Sequence, residues 1–239
     1  MRMSTVLVIN SKGGSGKTTI TTNLASYYAL NKVTTAIMDF DPQGSSMNWI
    51  RQRNPFAPRV HGANAAPQRG SRIRSVEMHV PADTRMLIID APAGATGLLL
   101  QEMVRRTDFI IVPVAPSAID IHATANFIKE LLLAGRIRMR NIKLAVVANR
   151  VRSSMPVYEP LERFLGSLSL PFLTRISDSD VYLKAAETGV GVFEMDPATA
   201  VTERRELTPI VDWLGSHIAP AAQPESRLGN ILKLVSIHS

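Results

Sequence analysis

Residues 12–19 read Lys-Gly-Gly-Ser-Gly-Lys-Thr-Thr, a set whose residue types and spacing suit the holding of phosphate. Gly13, Gly14 and Gly16 permit close backbone approach and positive φ, and Ser15 completes the turn. Lys17 stands where it would reach β- and γ-phosphates, the Thr18 hydroxyl where it would ligate Mg2+, and Thr19 where it would bond an α-phosphate oxygen. The ordinary phosphate loop starts with glycine; here Ser11 takes that place and a second lysine, Lys12, follows it. The stretch is either a degraded loop or a different design in which Lys12 has its own task. A glycine-rich turn without a ligand is the competing reading. Context separates them: the loop follows an apolar run at 5–10 and opens a helical pattern over 17–31, which points backbone N–H groups and the positive helix end at an anion.

Acidic residues join this loop. Asp90 ends the apolar run Met-Leu-Ile-Ile-Asp at 86–90, the usual place for the carboxylate that orients a Mg2+ shell. Asp39 and Asp41 end another run, over 34–40 and just beyond. In a parallel sheet the strand C-termini gather on one edge, and ligands bind in the crevice there. Each aspartate alone could be a turn residue. With Lys17 they form one expected constellation.

The elements that must position these groups are legible from pattern. Apolar runs at 5–10, 34–40, 86–90, 109–114 and 142–149 read as buried strands, with helical segments at 17–31, 97–106 and 120–134 between several of them. Alternating strands and helices with continuously apolar strands predict an α/β fold, a mostly parallel twisted sheet covered by helices on both faces. Residues 54–81, rich in Pro, Gly, Ala and Arg without a sustained period, read as a loop-rich insertion in one domain spanning 1–219. Residues 220–239 read as a tail behind a flexible link.

Composition narrows the classes. The chain has 239 residues, 45% hydrophobic and 20% charged, which fits a packed core. It has no cysteine, so disulfides, zinc–thiolate sites and thiolate-bound iron–sulfur clusters are excluded. No run approaches the roughly 18 apolar residues of a spanning helix, and the N-terminus lacks the pattern of a signal peptide; a cytoplasmic protein is expected. The formal charge of +7 suggests a polyanionic partner. No acidic residue lies between Asp41 and Glu77, whereas Arg51, Arg53, Arg59, Arg69, Arg72 and Arg74 do; the segment is either a solvated loop or a surface facing nucleic acid.

The motifs Lys-Gly-Gly-Ser-Gly-Lys-Thr-Thr, Asp-Phe-Asp-Pro-Gln-Gly at 39–44 and Ile-Ile-Asp-Ala-Pro-Ala-Gly at 88–94 resemble the deviant Walker A, Walker A′ and Walker B motifs of the ParA/MinD family of ATPases. The likeness extends over roughly residues 4 to 215, through Asn23 to Ala29, Phe109 to Ala123 and Ile176 to Pro197. It implies a P-loop NTPase fold, ATP and Mg2+ as cofactors, and hydrolysis of ATP to ADP and phosphate. It implies that Lys12 crosses a dimer interface to phosphate held by the partner subunit, so Ser11 belongs to the design. By the same resemblance Lys17 holds the β/γ-phosphates, Thr18 binds Mg2+ with Asp90 orienting the metal's water, Asp39 supports the metal shell and Asp41 aligns the attacking water. Asn149 matches the position from which the family reads adenine, though it could equally be a strand-terminal turn residue.

The family's DNA-binding members carry basic residues on C-terminal helices, which makes Lys184, Arg204 and Arg205 candidates here, with Arg150, Arg152 and Arg175 beside them. The family's frequent Ile-Pro-Arg corresponds to Ile176-Ser177-Asp178, so a customary arginine is an aspartate. The resemblance implies a homodimer on ATP binding, nonspecific nucleoid DNA as matrix in a bacterium, and a cargo-linked partner that activates hydrolysis; the cargo could be a plasmid, a chromosome locus or a carboxysome. The phosphate loop starts almost at the N-terminus, which favours the short type without a helix-turn-helix domain. The alternative is a MinD-like membrane switch, in which Leu228, Ile231, Leu232 and Val235 of the tail would lie on a bilayer. A small-molecule ligase or reductase on the same fold is the third possibility; the missing cysteines exclude the iron–sulfur branch, and the Asp-Pro-Gln-Gly run with Lys12 favours partition-type members.

Overall fold

The computed structural model describes residues 2–66, 78–116, 118–134, 141–152, 163, 166 and 170–218. Its frame is a seven-stranded sheet built from β1 (Ser4–Val8), β2 (Thr35–Asp39), β3 (Val60–Asn64), β4 (Met86–Asp90), β5 (Phe109–Val114), β6 (Lys143–Val151) and β7 (Phe172–Ser177). The strand order is β3-β2-β4-β1-β5-β6-β7. Every pairing is parallel.

Continuous apolar strands arise because both faces of this sheet are covered. Along β1, Val6 and Val8 enter one core with Ile20, Leu24 and Tyr28 of α1 (Lys17–Leu30). Leu7 and the following Ile9 enter the other core. The first core also takes α2 (Ser45–Gln52) through Trp49, α5 (Asp180–Glu187) through Tyr182 and Ala185, and α6 (Val201–His217) through Leu207, Ile210 and Leu214. The second takes α3 (Gly97–Arg105) through Leu100 and Met103, and α4 (Ala118–Ala134) through Phe127 and Leu131.

β3, α2 and β7 are among the elements that the apolar pattern did not mark. β3 lies inside the stretch read as a loop-rich insertion, and it pairs with β2 from Thr35↔Val60 to Asp39↔Asn64. Its sequence, Val-His-Gly-Ala-Asn, has low strand propensity, but α2 packs directly on it: a Cβ at Gly62 would meet Met47 Cε at 2.7 Å. The other two, α2 and β7, are polar short elements whose tertiary neighbours decide their state. Arg69, Arg72 and Arg74 and the tail 220–239 lie outside the described residues.

One long-range clasp fixes the α2–β3 connection. Arg53 makes a bidentate bond to Glu194, with Nη2–Oε1 at 2.7 Å and Nη1–Oε2 at 3.0 Å, and donates to the carbonyls of Gly189 and Pro58. Both side chains are buried, at 6% and 8% exposure, and the guanidinium stacks over Trp49. Arg53 therefore belongs to the interior and not to the basic surface that the run of arginines suggested.

Candidate functional site

The parallel register sets the acids side by side. Asp39 and Asp90 are paired residues at the ends of β2 and β4, and Val8, last in β1, pairs with Asp90. The phosphate loop leaves β1 at that edge. Gly16 has φ 85° and Gly14 φ 73°, values that disfavour any side chain. A Cβ at Gly16 would meet Asn149 Nδ2 at 1.8 Å, so the loop and the end of β6 are in direct contact. Asn149 Nδ2 donates to Ser15 O at 2.7 Å. Ser15 Oγ and Lys17 Nζ both donate to the Lys12 carbonyl, at 3.2 and 3.0 Å, and Gly94 N donates to Ser11 O at 2.9 Å. The loop is thereby tied within itself and braced from the end of β6 and from the segment that follows β4.

Asp90 is fully buried. Its Oδ2 accepts from Thr18 Oγ1 at 2.8 Å and from Ser46 Oγ at 2.5 Å, while Oδ1 has no hydrogen-bond partner. Burial pushes its carboxyl up to about 7, Asp39 adds to the rise, and the two hydroxyls and Lys17 oppose it. Burial also raises Asp39, against backbone N–H donors: Asp41 N at 2.9 Å on Oδ1 and Met47 N at 3.2 Å on Oδ2. Asp39 thus ties down both ends of the loop that carries Asp41. Asp41 itself accepts from Gln43 N at 3.0 Å. Burial lowers Lys17, with Asp90 and Asp41 pulling the other way.

These groups line a cavity of about 520 Å3. Its inner part is formed by Gly13, Gly14, Gly16, Lys17, Thr18, Thr19 and Asp41; its outer part by Asn149, Arg150, Arg152, Ser177, Asp178 and Leu183. At the outer rim Asp178 accepts from Arg152 Nε at 2.8 Å and lies 3.5 Å from Arg150 Nε; the Arg152 bond, more than the neighbouring charges, holds its carboxyl below the usual range. Arg150 also donates to Gly14 O at 3.2 Å.

A triphosphate fits the inner part: glycine backbone, one buried lysine and two threonines converge there. A Mg2+ ion fits as well, because the Thr18 hydroxyl stands beside a buried carboxylate that keeps one oxygen, Asp90 Oδ1, unengaged. Among the described residues no group of three or more His, Cys, Asp or Glu could hold a metal alone. A Mg2+ bound chiefly through phosphate and water needs no such cage.

Residues 6–193 match the family model of the CobQ/CobB/MinD/ParA nucleotide binding domain. The chain belongs to that family. Among curated relatives it is 26% identical over 196 residues to the maintenance of carboxysome distribution protein A of Halothiobacillus neapolitanus, covering 80% of this chain and 87% of that one. Its fold is that of MinD from Aquifex aeolicus, with TM-score 0.68, 16% identity, and coverage of 92% of this chain and 100% of that one. It is likewise that of a Cyanothece McdA solved as an ATP complex, with TM-score 0.67, 14% identity, and coverage of 92% and 99%. The expected ParA/MinD relationship and the P-loop NTPase fold are therefore both found.

The structure brings Lys17, Thr18, Thr19, Asp41 and Asn149 to one cavity, with Asp39 and Asp90 behind it. Lys12 is not among the residues lining that cavity. The candidate DNA contacts divide. Lys184 and Arg205 are exposed, whereas Arg204 donates from Nε to Val192 O at 2.9 Å and from Nη2 to Phe193 O at 3.1 Å and to Met195 O. Arg204, expected as a candidate DNA contact, thus holds the loop before α6. Ser46 was missed. Its only signal was a small hydroxyl residue two positions past Asp-Pro-Gln-Gly, at a helix start, with no apolar period to mark it as buried.

Among the described residues no helix is long and apolar enough to cross a membrane.

Proposed function

We propose that the protein is a positioning ATPase of the ParA kind: it hydrolyses ATP with Mg2+, forms an ATP-bound sandwich dimer, binds nonspecific DNA in that state, and moves a cargo through a partner that stimulates hydrolysis. The observation that carries this is the joining of two acids at one sheet edge. Asp90 is hydrogen-bonded to the phosphate loop through Thr18, and Asp39 holds the loop that bears Asp41. Likeness to a carboxysome distribution protein over most of both chains supports the positioning role.

Phosphoryl transfer to water asks mainly for placement and charge neutralisation. Lys17 supplies positive charge at the β/γ-phosphates, and burial makes that charge act with little screening. Mg2+, when bound, offsets the remaining phosphate charge, with Thr18 and Asp90 as the residues that hold it and its water. Asp41, half-buried in the inner part of the cavity, aligns the attacking water. Asn149 and the outer rim receive the nucleoside. Lys12, whose side chain is outside its own cavity lining, reaches the phosphate of a second copy, where a point charge relieves repulsion between two nucleotides.

DNA would meet exposed cations, with Lys184 and Arg205 foremost, through phosphates and without sequence preference. A dimer doubles the contacts, so affinity rises with ATP. The test is a titration of random-sequence DNA by interferometry with ATP or ADP at two salt concentrations, beside an ATPase assay with Mg2+. Tight binding with ATP, weakened by salt, is expected. No hydrolysis, or equal DNA binding with either nucleotide, defeats the reading; binding to anionic vesicles instead would assign the matrix to membrane.

A further inference from the structure

Asp90 Oδ2 is shared by two hydroxyls that come from different elements. Thr18 opens α1 and is the residue fitted to hold the metal; Ser46 lies in the first turn of α2. Ser46 is completely buried, and its bond to Asp90, at 2.5 Å, is the shorter of the two. Its backbone N–H faces Asp39 at the same time. One residue thus touches both members of a carboxylate pair that would otherwise repel at close quarters.

The segment between Asp39 and Ser46 has few other ties. Phe40 N donates to Asp90 O at 3.0 Å, Asp41 N to Asp39, and Gly44 N to Asp41 O at 2.9 Å. Every one of these bonds leads back to Asp39, Asp41 or Asp90. Of them, the Ser46 hydroxyl is the side-chain link from α2 to Asp90 itself. If Thr18 turns its hydroxyl to a metal, Ser46 is the hydroxyl that stays on the carboxylate.

We propose that Ser46 is a positioning residue for ATP hydrolysis: its hydroxyl couples Asp90, behind the metal site, to the loop that places Asp41. The proposal rests on the ATPase reading above. A second role, satisfying a buried carboxylate for stability alone, would make no difference between substrate affinity and turnover. Coupling does: loss of the hydroxyl leaves the phosphate cradle intact and lets the Asp41 loop drift, and misplacement on the ångström scale is enough to slow a positioned reaction.

The protein contains its own probe. Trp49 sits on α2 one turn after Ser46, buried, with Nε1 bonded to Val190 O at 3.1 Å. The other tryptophan, Trp213 on α6, packs against Phe109 and is replaced by Phe so that emission reports α2 alone.

In the Trp213→Phe protein, ATP binding, steady-state turnover and Trp49 emission during a Mg2+ titration at saturating ATP are compared with and without Ser46→Ala. We expect kcat to fall roughly tenfold or more with KM within about twofold, and the Mg2+-dependent emission change to be lost while ATP still binds. Turnover at the parent rate, or an unchanged emission response to Mg2+, overturns the proposal. If the Ala variant does not fold, Ser46→Cys, nearly equal in volume and a feeble donor, carries the same comparison. A parent protein that binds but never hydrolyses ATP defeats the ATPase reading, and the emission titration then judges the coupling on its own.

Discussion

Two aspartates on the same sheet edge have been pushed in opposite directions. Asp90, at the inner end of the cavity, is wholly enclosed, fed by two neutral hydroxyls, and raised to about 7. Asp178, at the outer rim, sits between Arg152 and Arg150 and is lowered. The first arrangement costs folding energy; the second is a solvated ion cluster that settles itself in water. The inner end therefore holds its carboxylates against burial, whereas the outer rim pairs its charges in solvent.

The largest effects should come from filling or emptying the inner end. Gly16→Ala puts a methyl within 1.8 Å of Asn149 Nδ2 at a φ of 85°, and should weaken ATP binding by about 100-fold or more, measured with a fluorescent analogue. Asp41→Ala should slow hydrolysis by roughly 100-fold while ATP affinity stays within about threefold; size-exclusion chromatography should then find a trapped dimer with ATP, which Lys12→Ala abolishes. Loss of ATP binding in the Asp41 variant would place that carboxylate in the metal shell instead.

Asp90→Asn sharpens the contrast in the nucleotide-free protein. Because its folded-state pKa lies above the unfolded one, folding takes up a proton, and stability from this group falls as pH rises from about 4 to about 7. The Asn variant should therefore be more stable than wild type at pH 8 by about 1–3 kcal/mol in denaturant unfolding, and the gap should close toward pH 4. A constant gap across that range would show that Asp90 is not carrying the penalty. On the exposed side of α6, Arg205→Glu should weaken DNA binding roughly three- to tenfold for all sequences without changing DNA-free hydrolysis. The smallest effect belongs to Asp178→Asn, within about 0.5 kcal/mol in stability, with a modest gain in DNA affinity as two arginines are released.

This same contrast decides what was legible in the sequence. The inner end is written in motifs because glycine conformation, lysine reach and carboxylate spacing admit few substitutes; Lys17, Thr18, Asp39 and Asp90 could be placed from type and position. The buried strands were legible because two covered faces force continuous apolar runs. β3 was not, since its state comes from pairing with β2 and from α2 resting on Gly62, neither of which is a local preference. Arginines were the weakest guide. Arg53 and Arg204 share composition with Arg205, yet one clasps Glu194, one binds three carbonyls and one meets solvent. A guanidinium satisfies carbonyls as readily as phosphates, and sequence does not say which are near.

The bond from Asn149 to Ser15 spans 134 residues of chain. In chain order the glycine loop comes before its sheet partners, and β1 has no partner until Met86–Asp90 and Phe109 onward have followed. The brace from β6 comes later still, and the clasp of Arg53 on Glu194 later again. Until those segments follow, the growing chain displays its glycine motif without the pocket, with apolar strand edges open to chance pairing. A nucleotide that binds at this site would therefore act on the folded sheet and not on the isolated motif.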